Sequence, residues 1–151
     1  MNLTTPEGET LSSTVYALTY YDISTGSNVL LAQLQDCTAT IVGSNLLVYS
    51  NAFSGLTADV RYKYRLAGLS QDIVLRQQPP SPADYGLNPS TTLLGVMTEF
   101  FNPPDPEITT VTNDGVLDDC KLDWGDMAMN VGQAFLVQSN VDSMPGVSVL
   151  K

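Results

Sequence analysis

Carboxylates are the side chains of this sequence that could do chemistry, because the chain contains no histidine. Ser-His-Asp and Cys-His systems need an imidazole base, and the commonest zinc and copper sites need imidazole ligands. Two carboxylates at a set separation are enough to hydrolyse a glycosidic bond. The carboxylates on or near predicted strands are Asp59, Asp72, Glu99, Asp123 and Asp126. A surface ion pair is the alternative for Asp59 beside Arg61, as it is for Asp72 near Arg76.

The densest acidic cluster is a candidate calcium site, since Ca²⁺ favours carboxylate and carbonyl oxygens. Its members are Asp118, Asp119, Asp123 and Asp126. Their spacing differs from that of the EF-hand loop, and the cluster contains no D-x-D-x-D repeat. A solvated acidic turn that leads into a strand is therefore the alternative interpretation.

Aromatic residues offer a candidate binding site of another kind. If several face solvent together, their flat apolar rings could stack on the sugars of a polysaccharide. The candidates for this platform are Tyr16, Tyr20, Tyr21, Tyr85 and Trp124. Packing in the core is the alternative for each of them.

No glycine-rich phosphate-binding motif is present, so the sequence gives no support for nucleotide binding or another organic cofactor.

The two cysteines, Cys37 and Cys120, are predicted to form one disulfide in an oxidising compartment. The long loop between them would remove on the order of 4–5 kcal/mol of unfolded-state entropy. Two buried thiols are the alternative.

Charge excludes several classes of partner. The net charge is −10 and the isoelectric point is about 4.1. Nucleic-acid binding needs clustered lysine and arginine, so no nucleic-acid partner is expected. The same charge disfavours adsorption to anionic membranes, and no apolar run approaches the ~18 residues of a membrane-spanning helix. The first residues also lack the basic and apolar regions of a signal peptide.

The elements that must position these residues are predicted to be strands. In the stretch from Leu56 to Gln77, apolar and polar residues alternate with a period of two, which predicts a hairpin interrupted at Ala67-Gly68. Four of the six basic residues lie in this hairpin. The alternation predicts that the face carrying Tyr62 and Tyr64 is buried and that the face carrying Lys63 is exposed.

Further segments after this hairpin contribute a loop and additional strands. The proline-rich run from Pro79 to Pro89 is predicted to be a long covering loop, with one helical turn capped by Ser81. Thr92 to Phe101 is apolar on both faces, which predicts a central strand. Val147 to Leu150 is predicted to be a short edge strand without an evident hairpin partner. Gly132 to Gln138 is expected to pair with Lys121 to Met129.

Many short strands separated by glycine and proline turns, with no helical period, predict an all-β antiparallel sandwich. We expect residues 1–13 to be a flexible tail or linker and residues 14–151 to be a single domain. At this length a domain can bury roughly 70% of its unfolded surface, so it needs no disulfide scaffold in place of a core.

Several stretches resemble an uncharacterised β-rich region of very large secreted bacterial proteins, which often carry RHS/YD-type or other extracellular repeats. The stretches are ADVRYKYRLAGLSQDIVLRQQPPSPADYGLNPSTT, TEFFNPPDP, LDWGDMAM and GQAFLV. The resemblance implies a secreted or cell-surface location within a larger chain. It does not indicate any particular activity.

Together these observations predict a non-catalytic structural or protein-interaction module. Its expected partners are neighbouring domains of a larger chain or other copies of itself, reached through strand edges. A carbohydrate-active domain that binds or hydrolyses polysaccharide is the alternative.

Overall fold

The computed structural model describes residues 1–66, 68–113, 117–134 and 147–149. These residues form fourteen β-strands, one short 3₁₀ helix and no α-helix. The strands are β1 (Asn2–Thr4), β2 (Thr10–Asp22), β3 (Ser27–Leu34), β4 (Ala39–Val42), β5 (Leu46–Tyr49), β6 (Phe53–Ser54), β7 (Ala58–Arg65), β8 (Gly68–Leu75), β9 (Thr92–Phe101), β10 (Glu107–Asn113), β11 (Leu117–Asp123), β12 (Ala128–Met129), β13 (Gly132–Ala134) and β14 (Val147–Val149).

The strands assemble into four sheets. One sheet has the order β1-β2-β3-β6, with β9 also paired to β2, and a second has the order β4-β5-β7-β8. The two smaller sheets are β10-β11-β12 and β13-β14. The neighbours whose register the structure gives run antiparallel. The prediction of an all-β antiparallel fold is confirmed.

The chain divides into two compact units. The larger unit is Ser13–Glu99, and the smaller unit combines Met1–Ser12 with Phe100–Lys151. The boundaries fall within β2 and β9. Within the segment expected to be a loose tail, β1 instead pairs with the first residues of β2, so that Leu3 lies opposite Leu11.

One core holds the two sheets of the larger unit together. Buried side chains come from β2, β3 and β6 on one side and from β7 on the other, with Ile73 and Leu75 of β8 packed against them. These shared contacts make the larger unit a sandwich. A bulge after Leu18 shifts the register between β2 and β3, so buried residues on β2 are no longer strictly alternate.

The hairpin of β7 and β8 forms as expected, but its exposure follows the predicted alternation only in part. Ala58 and Val60 are buried, whereas Tyr64 is 59% exposed and Leu66 is fully exposed. Asp59, expected on the outer face, is buried. The prediction that both tyrosines are buried is therefore wrong for Tyr64. Tyr62 and Lys63, predicted on opposite faces, are both half-buried. Alternation assigns side chains to faces, but it does not show where along a strand the covering layer ends.

The proline-rich loop begins with the predicted helical turn. Pro82–Tyr85 is a 3₁₀ helix, the side chain of Ser81 accepts a hydrogen bond from the Ala83 amide, and Asp84 completes the capping box. The loop covers part of β2: the hydroxyl of Tyr20 donates to the carbonyl oxygen of Pro80 at 2.6 Å. The ring of Tyr85 meets the ring of Tyr20 edge-on.

The smaller unit has a core of its own, formed by Leu11, Trp124 and Met127, with Phe100 and Leu122 packed against it. Its strand pairing differs from the expected last hairpin, because β11 pairs with β10 and β12. The strand predicted to lack a hairpin partner, β14, pairs with β13.

Candidate functional site

Strand β9 leaves apolar side chains uncovered, and it is the most distinctive surface of the larger unit. Among the described strands it pairs only with β2, so its second edge has no neighbouring strand there. Leu93, Leu94, Val96 and Met97 are each 36–44% exposed, and they alternate between its two faces. None of residues 92–99 belongs to the core of the larger unit. The prediction of a central strand is wrong, because that core is filled by other strands.

The start of β9 is fixed by a buried carboxylate. One oxygen of Asp22 accepts hydrogen bonds from the hydroxyl of Thr91 at 2.7 Å and from the amide and hydroxyl of Ser24. The amide of Ile23 donates to the carbonyl oxygen of Thr91 at 3.0 Å. The hydrogen bonds from Thr91 and Ser24 lower the pKa of Asp22 to about 2. The ionised carboxylate therefore ties the turn between β2 and β3 to the residue that precedes β9.

The middle of β9 lies close against β2 at Gly95. A Cβ atom at this position would lie 3.1 Å from the hydroxyl oxygen of Thr19, which is tighter than most contacts of that kind. Glycine here permits the close approach of the two strands. These contacts support β9 along its inner edge.

An open cleft of about 370 Å³ adjoins β9 and is lined by Tyr16, Met97, Thr98 and Glu99. The amide group of Gln71 donates to the hydroxyl of Thr98 at 3.4 Å. One carboxylate, one hydroxyl and apolar walls can bind a side chain of a partner. A two-carboxylate hydrolase needs a second carboxylate at a set separation, and Glu99 is the one carboxylate among the described residues that line the cleft.

Two of the other carboxylates considered for hydrolysis, Asp59 and Asp72, form ion pairs. Asp59 accepts hydrogen bonds from the guanidinium of Arg76, at 2.8 Å from Nε, and from the amide of Asn51 at 3.0 Å. Burial raises the pKa of Asp59, but the bonds from Arg76 and Asn51 outweigh it and hold that pKa below its usual value. Asp72 pairs with Arg61 across β7 and β8. Both aspartates thus form ion pairs, with the partners exchanged relative to the sequence expectation.

The structure describes three of the four side chains of the acidic cluster proposed for calcium. Among the described side chains, no group of three or more acidic or cysteine residues could hold a metal ion. Asp123 accepts from Lys121 and from the amide of Gly125, and the bond from Lys121 is the main cause of its lowered pKa. Asp119 is buried, Asp126 is exposed, and the side chain of Asp118 lies outside the described part.

The aromatic residues proposed for sugar stacking do not form a common platform. Tyr20 and Trp124 are buried, and the indole N–H of Trp124 donates to the carbonyl oxygen of Pro104 at 2.9 Å. Tyr21 and Tyr85 are exposed, but the ring of Tyr85 packs edge-on against Tyr20. Tyr20 and Trp124 therefore offer no open ring face to a sugar, and Tyr16, Tyr21 and Tyr85 are the exposed members of the proposed set.

The disulfide predicted between Cys37 and Cys120 is not formed. Both cysteines lie in the described part of the chain, and neither belongs to a disulfide. Cys37 packs against the core of the larger unit, and Cys120 lies on β11 opposite Thr110 in the smaller unit. An even number of cysteines indicates a bond only if the fold brings their Cβ atoms within about 4.5 Å.

The tip of the β7–β8 hairpin is a second exposed surface. Tyr64 and Leu66 are exposed there on either side of Arg65, and neither Arg65 nor the half-buried Lys63 forms an ion pair among the described residues. A mixed cationic and apolar tip on an acidic chain could contact an acidic surface, but nothing in the structure indicates which one.

The described residues include no helix long and apolar enough to cross a membrane. Comparison of the chain with family models, curated proteins and solved structures gives no match.

Proposed function

We propose that this chain is a non-catalytic interaction module of a secreted or cell-surface bacterial protein, and that it binds its partner through the outer edge of β9. The observation that carries the proposal is a ten-residue strand that has no neighbour on one edge among the described strands and carries exposed apolar side chains on both faces. An unpaired edge presents backbone N–H and C=O groups to which another strand can add.

The composition of β9 supports use of the edge rather than its protection. Natural edge strands are commonly blocked by lysine, proline, a bulge or a short length. From Thr92 to Thr98 there is no charged residue and no proline. A strand of this kind would be an aggregation hazard unless a partner covered it. Coverage by a partner is therefore part of the proposed function.

The secreted or surface location rests on the resemblance to large extracellular bacterial chains. The non-catalytic character rests on the lack of histidine and on the ion pairs that occupy Asp59, Asp72 and Asp123. Carbohydrate binding remains the other candidate class only for the cleft beside Tyr16 and Glu99.

A site-specific photo-crosslinker tests the proposal in the cells that make the protein. The photoreactive amino acid benzoyl-phenylalanine replaces Leu94 in one variant and Val42 in a matched control. Val42 is 49% exposed on β4, which is also at the edge of its sheet. We expect crosslinks to one defined partner from position 94 and few from position 42. Equal crosslinking at both positions, or none at position 94, would contradict the proposal.

Hydrogen exchange on the purified complex gives the second readout. Addition of the identified partner should slow amide exchange within Thr92–Glu99 more than within Ala39–Val42. Unchanged exchange in β9 would show that the crosslink reports proximity without strand pairing.

A further inference from the structure

We propose that the strand that adds to β9 belongs to a second copy of this chain, with the two β9 strands antiparallel about a two-fold axis at Gly95. The inference rests on the proposed function and names its partner. It uses only residues 92–99 of β9, all of which lie in the larger unit. The five-stranded sheet would continue across the dimer.

Symmetry limits the registers that two copies of one strand can adopt. A two-fold axis perpendicular to the sheet keeps every residue on the same face, and facing residues on antiparallel strands also share a face. Position i of one copy must therefore face a position an even number of residues away. Each register is thus centred on one residue of β9.

Centring on Gly95 matches the exposed apolar residues with one another. Leu93 then faces Met97 of the second copy on one side of the sheet, and Leu94 faces Val96 on the other. All four are at least one-third exposed in the single chain. The outermost pair, Thr92 with Thr98, is also favourable, since threonine pairs across strands can form hydrogen bonds.

Neighbouring registers lose this match. Centring on Val96 places Leu93 opposite Glu99 and Leu94 opposite Thr98. Centring on Leu94 places Val96 opposite Thr92 and Leu93 opposite Gly95. Apolar side chains would then face polar groups or a missing side chain, so less apolar surface would be buried.

Charge is compatible with the register centred on Gly95. Two copies with a net charge of −10 repel each other, so a contact between them must keep like charges apart. Glu99 is the charged residue of β9. Its two copies would stand eight positions apart along the strands, or about 27 Å at ~3.4 Å per residue. That separation exceeds the screening length of about 8 Å at physiological ionic strength.

The two edges of the second sheet offer less. Strand β8 is half-buried at six of its eight residues. Strand β4 carries exposed Ile41 and Val42, but it has only four residues. A shorter ladder makes fewer backbone hydrogen bonds and excludes less apolar area from water. A single strand pair buries less than the roughly 800 Å² per partner of a standard interface, so we expect a dissociation constant in the micromolar range.

Sedimentation equilibrium of the full chain across a wide concentration range tests the dimer. Val96→Glu places a carboxylate against Leu94 of the second copy and should raise the dissociation constant at least ~10-fold. Val42→Glu is the matched control, with the same change at a similarly exposed valine, and should change it less than ~3-fold. A wild-type chain that is monomeric at millimolar concentration, or equal effects of the two substitutions, would overturn the inference.

A charge-swap experiment tests the register. Leu94→Lys and Val96→Glu should each weaken self-association, whereas an equimolar mixture should form a heterodimer within a few-fold of wild-type affinity. In that mixture the introduced lysine of one chain faces the introduced glutamate of the other. A mixture of Leu93→Lys with Val96→Glu should not recover wild-type affinity, because positions 93 and 96 lie on opposite faces of the sheet. Equal recovery in both mixtures would overturn the register centred on Gly95.

Wild-type protein gives a readout that does not depend on how the variants fold. Amides of Thr92–Thr98 should exchange more slowly at high than at low protein concentration, while those of Ala39–Val42 should not change. Absence of this difference would overturn the inference. A crosslink from position 94 to a different protein, with a monomeric wild-type chain, would overturn the inference and support the proposed function.

Discussion

The pair of Asp59 and Arg76 is the most consequential contact at the scale of single residues. The side chain of Asp59 is 2% exposed, whereas that of Arg76 is 57% exposed. The carboxylate has thus lost most of its water, and Arg76 and Asn51 replace it. A buried charge that loses its partner is costly, although the exposed side of the guanidinium shows that water is close by.

Arg76→Ala should lower the free energy of unfolding by about 2 kcal/mol at neutral pH, because it leaves a buried carboxylate with one hydrogen-bond donor fewer. Arg61→Ala is the control, since its pair with Asp72 spans 3.5 Å with both side chains more than one-third exposed. That substitution should cost less than about 1 kcal/mol. Urea unfolding measures the loss of unfolding free energy for both variants. Equal losses would contradict the greater importance of the Asp59–Arg76 pair.

Asp22 shows how one side chain organises elements. Its ionised carboxylate joins the β2–β3 turn to Thr91 immediately before β9. The folded pKa of about 2 lies below the ordinary value of 3.8. A lowered carboxyl pKa gives stability that is complete above the unfolded pKa and is lost as the pH falls through the folded pKa.

Asp22→Asn should therefore be most destabilising above about pH 4, and its deficit relative to wild type should shrink between about pH 4 and pH 2. Urea unfolding at several pH values measures this difference, and other carboxylates largely cancel in the comparison. Thr91→Val is a graded control, because it keeps the Asp22 carboxylate but removes one of its hydrogen bonds. The folded pKa of Asp22 should therefore rise, and the loss of stability on acidification should end at a higher pH. A stability deficit that does not vary with pH would contradict the link between ionisation of Asp22 and the free energy of unfolding.

At the scale of the whole molecule, net charge opposes association of copies. The chain carries 16 acidic and 6 basic residues. Long-range repulsion between two such chains is screened by salt, while apolar contacts and backbone hydrogen bonds at β9 are much less affected.

The dimer proposed through β9 should therefore tighten as the salt concentration rises. Between about 20 mM and about 300 mM sodium chloride we expect the dissociation constant to fall several-fold, because the screening length shortens over this range. Sedimentation equilibrium at each salt concentration measures it. Weakening with salt would instead indicate attraction between opposite charges, for example through the cationic hairpin tip, and would contradict a neutral strand interface.

Local chemistry determined much of what the sequence alone could predict. Alternation predicted β7, β8 and most other strands, because side chains of a strand point to opposite faces whatever surrounds it. Ser81 followed by Pro82, with Asp84 one turn on, specified the capped 3₁₀ turn through contacts between near neighbours. The all-β class follows from these same short-range preferences.

The tertiary structure decided which faces are covered and which distant residues meet. The disulfide between Cys37 and Cys120 and the central position of β9 were mispredicted, and the sequence left open whether Tyr20 and Trp124 are buried or exposed. Each depends on elements far away in the chain: the proline-rich loop covers Tyr20, and Pro104 accepts the indole hydrogen bond of Trp124. A strand that is apolar on both faces has the same sequence pattern whether its neighbours lie in its own chain or in another. For β9, packing rather than local sequence left one edge open among the described strands.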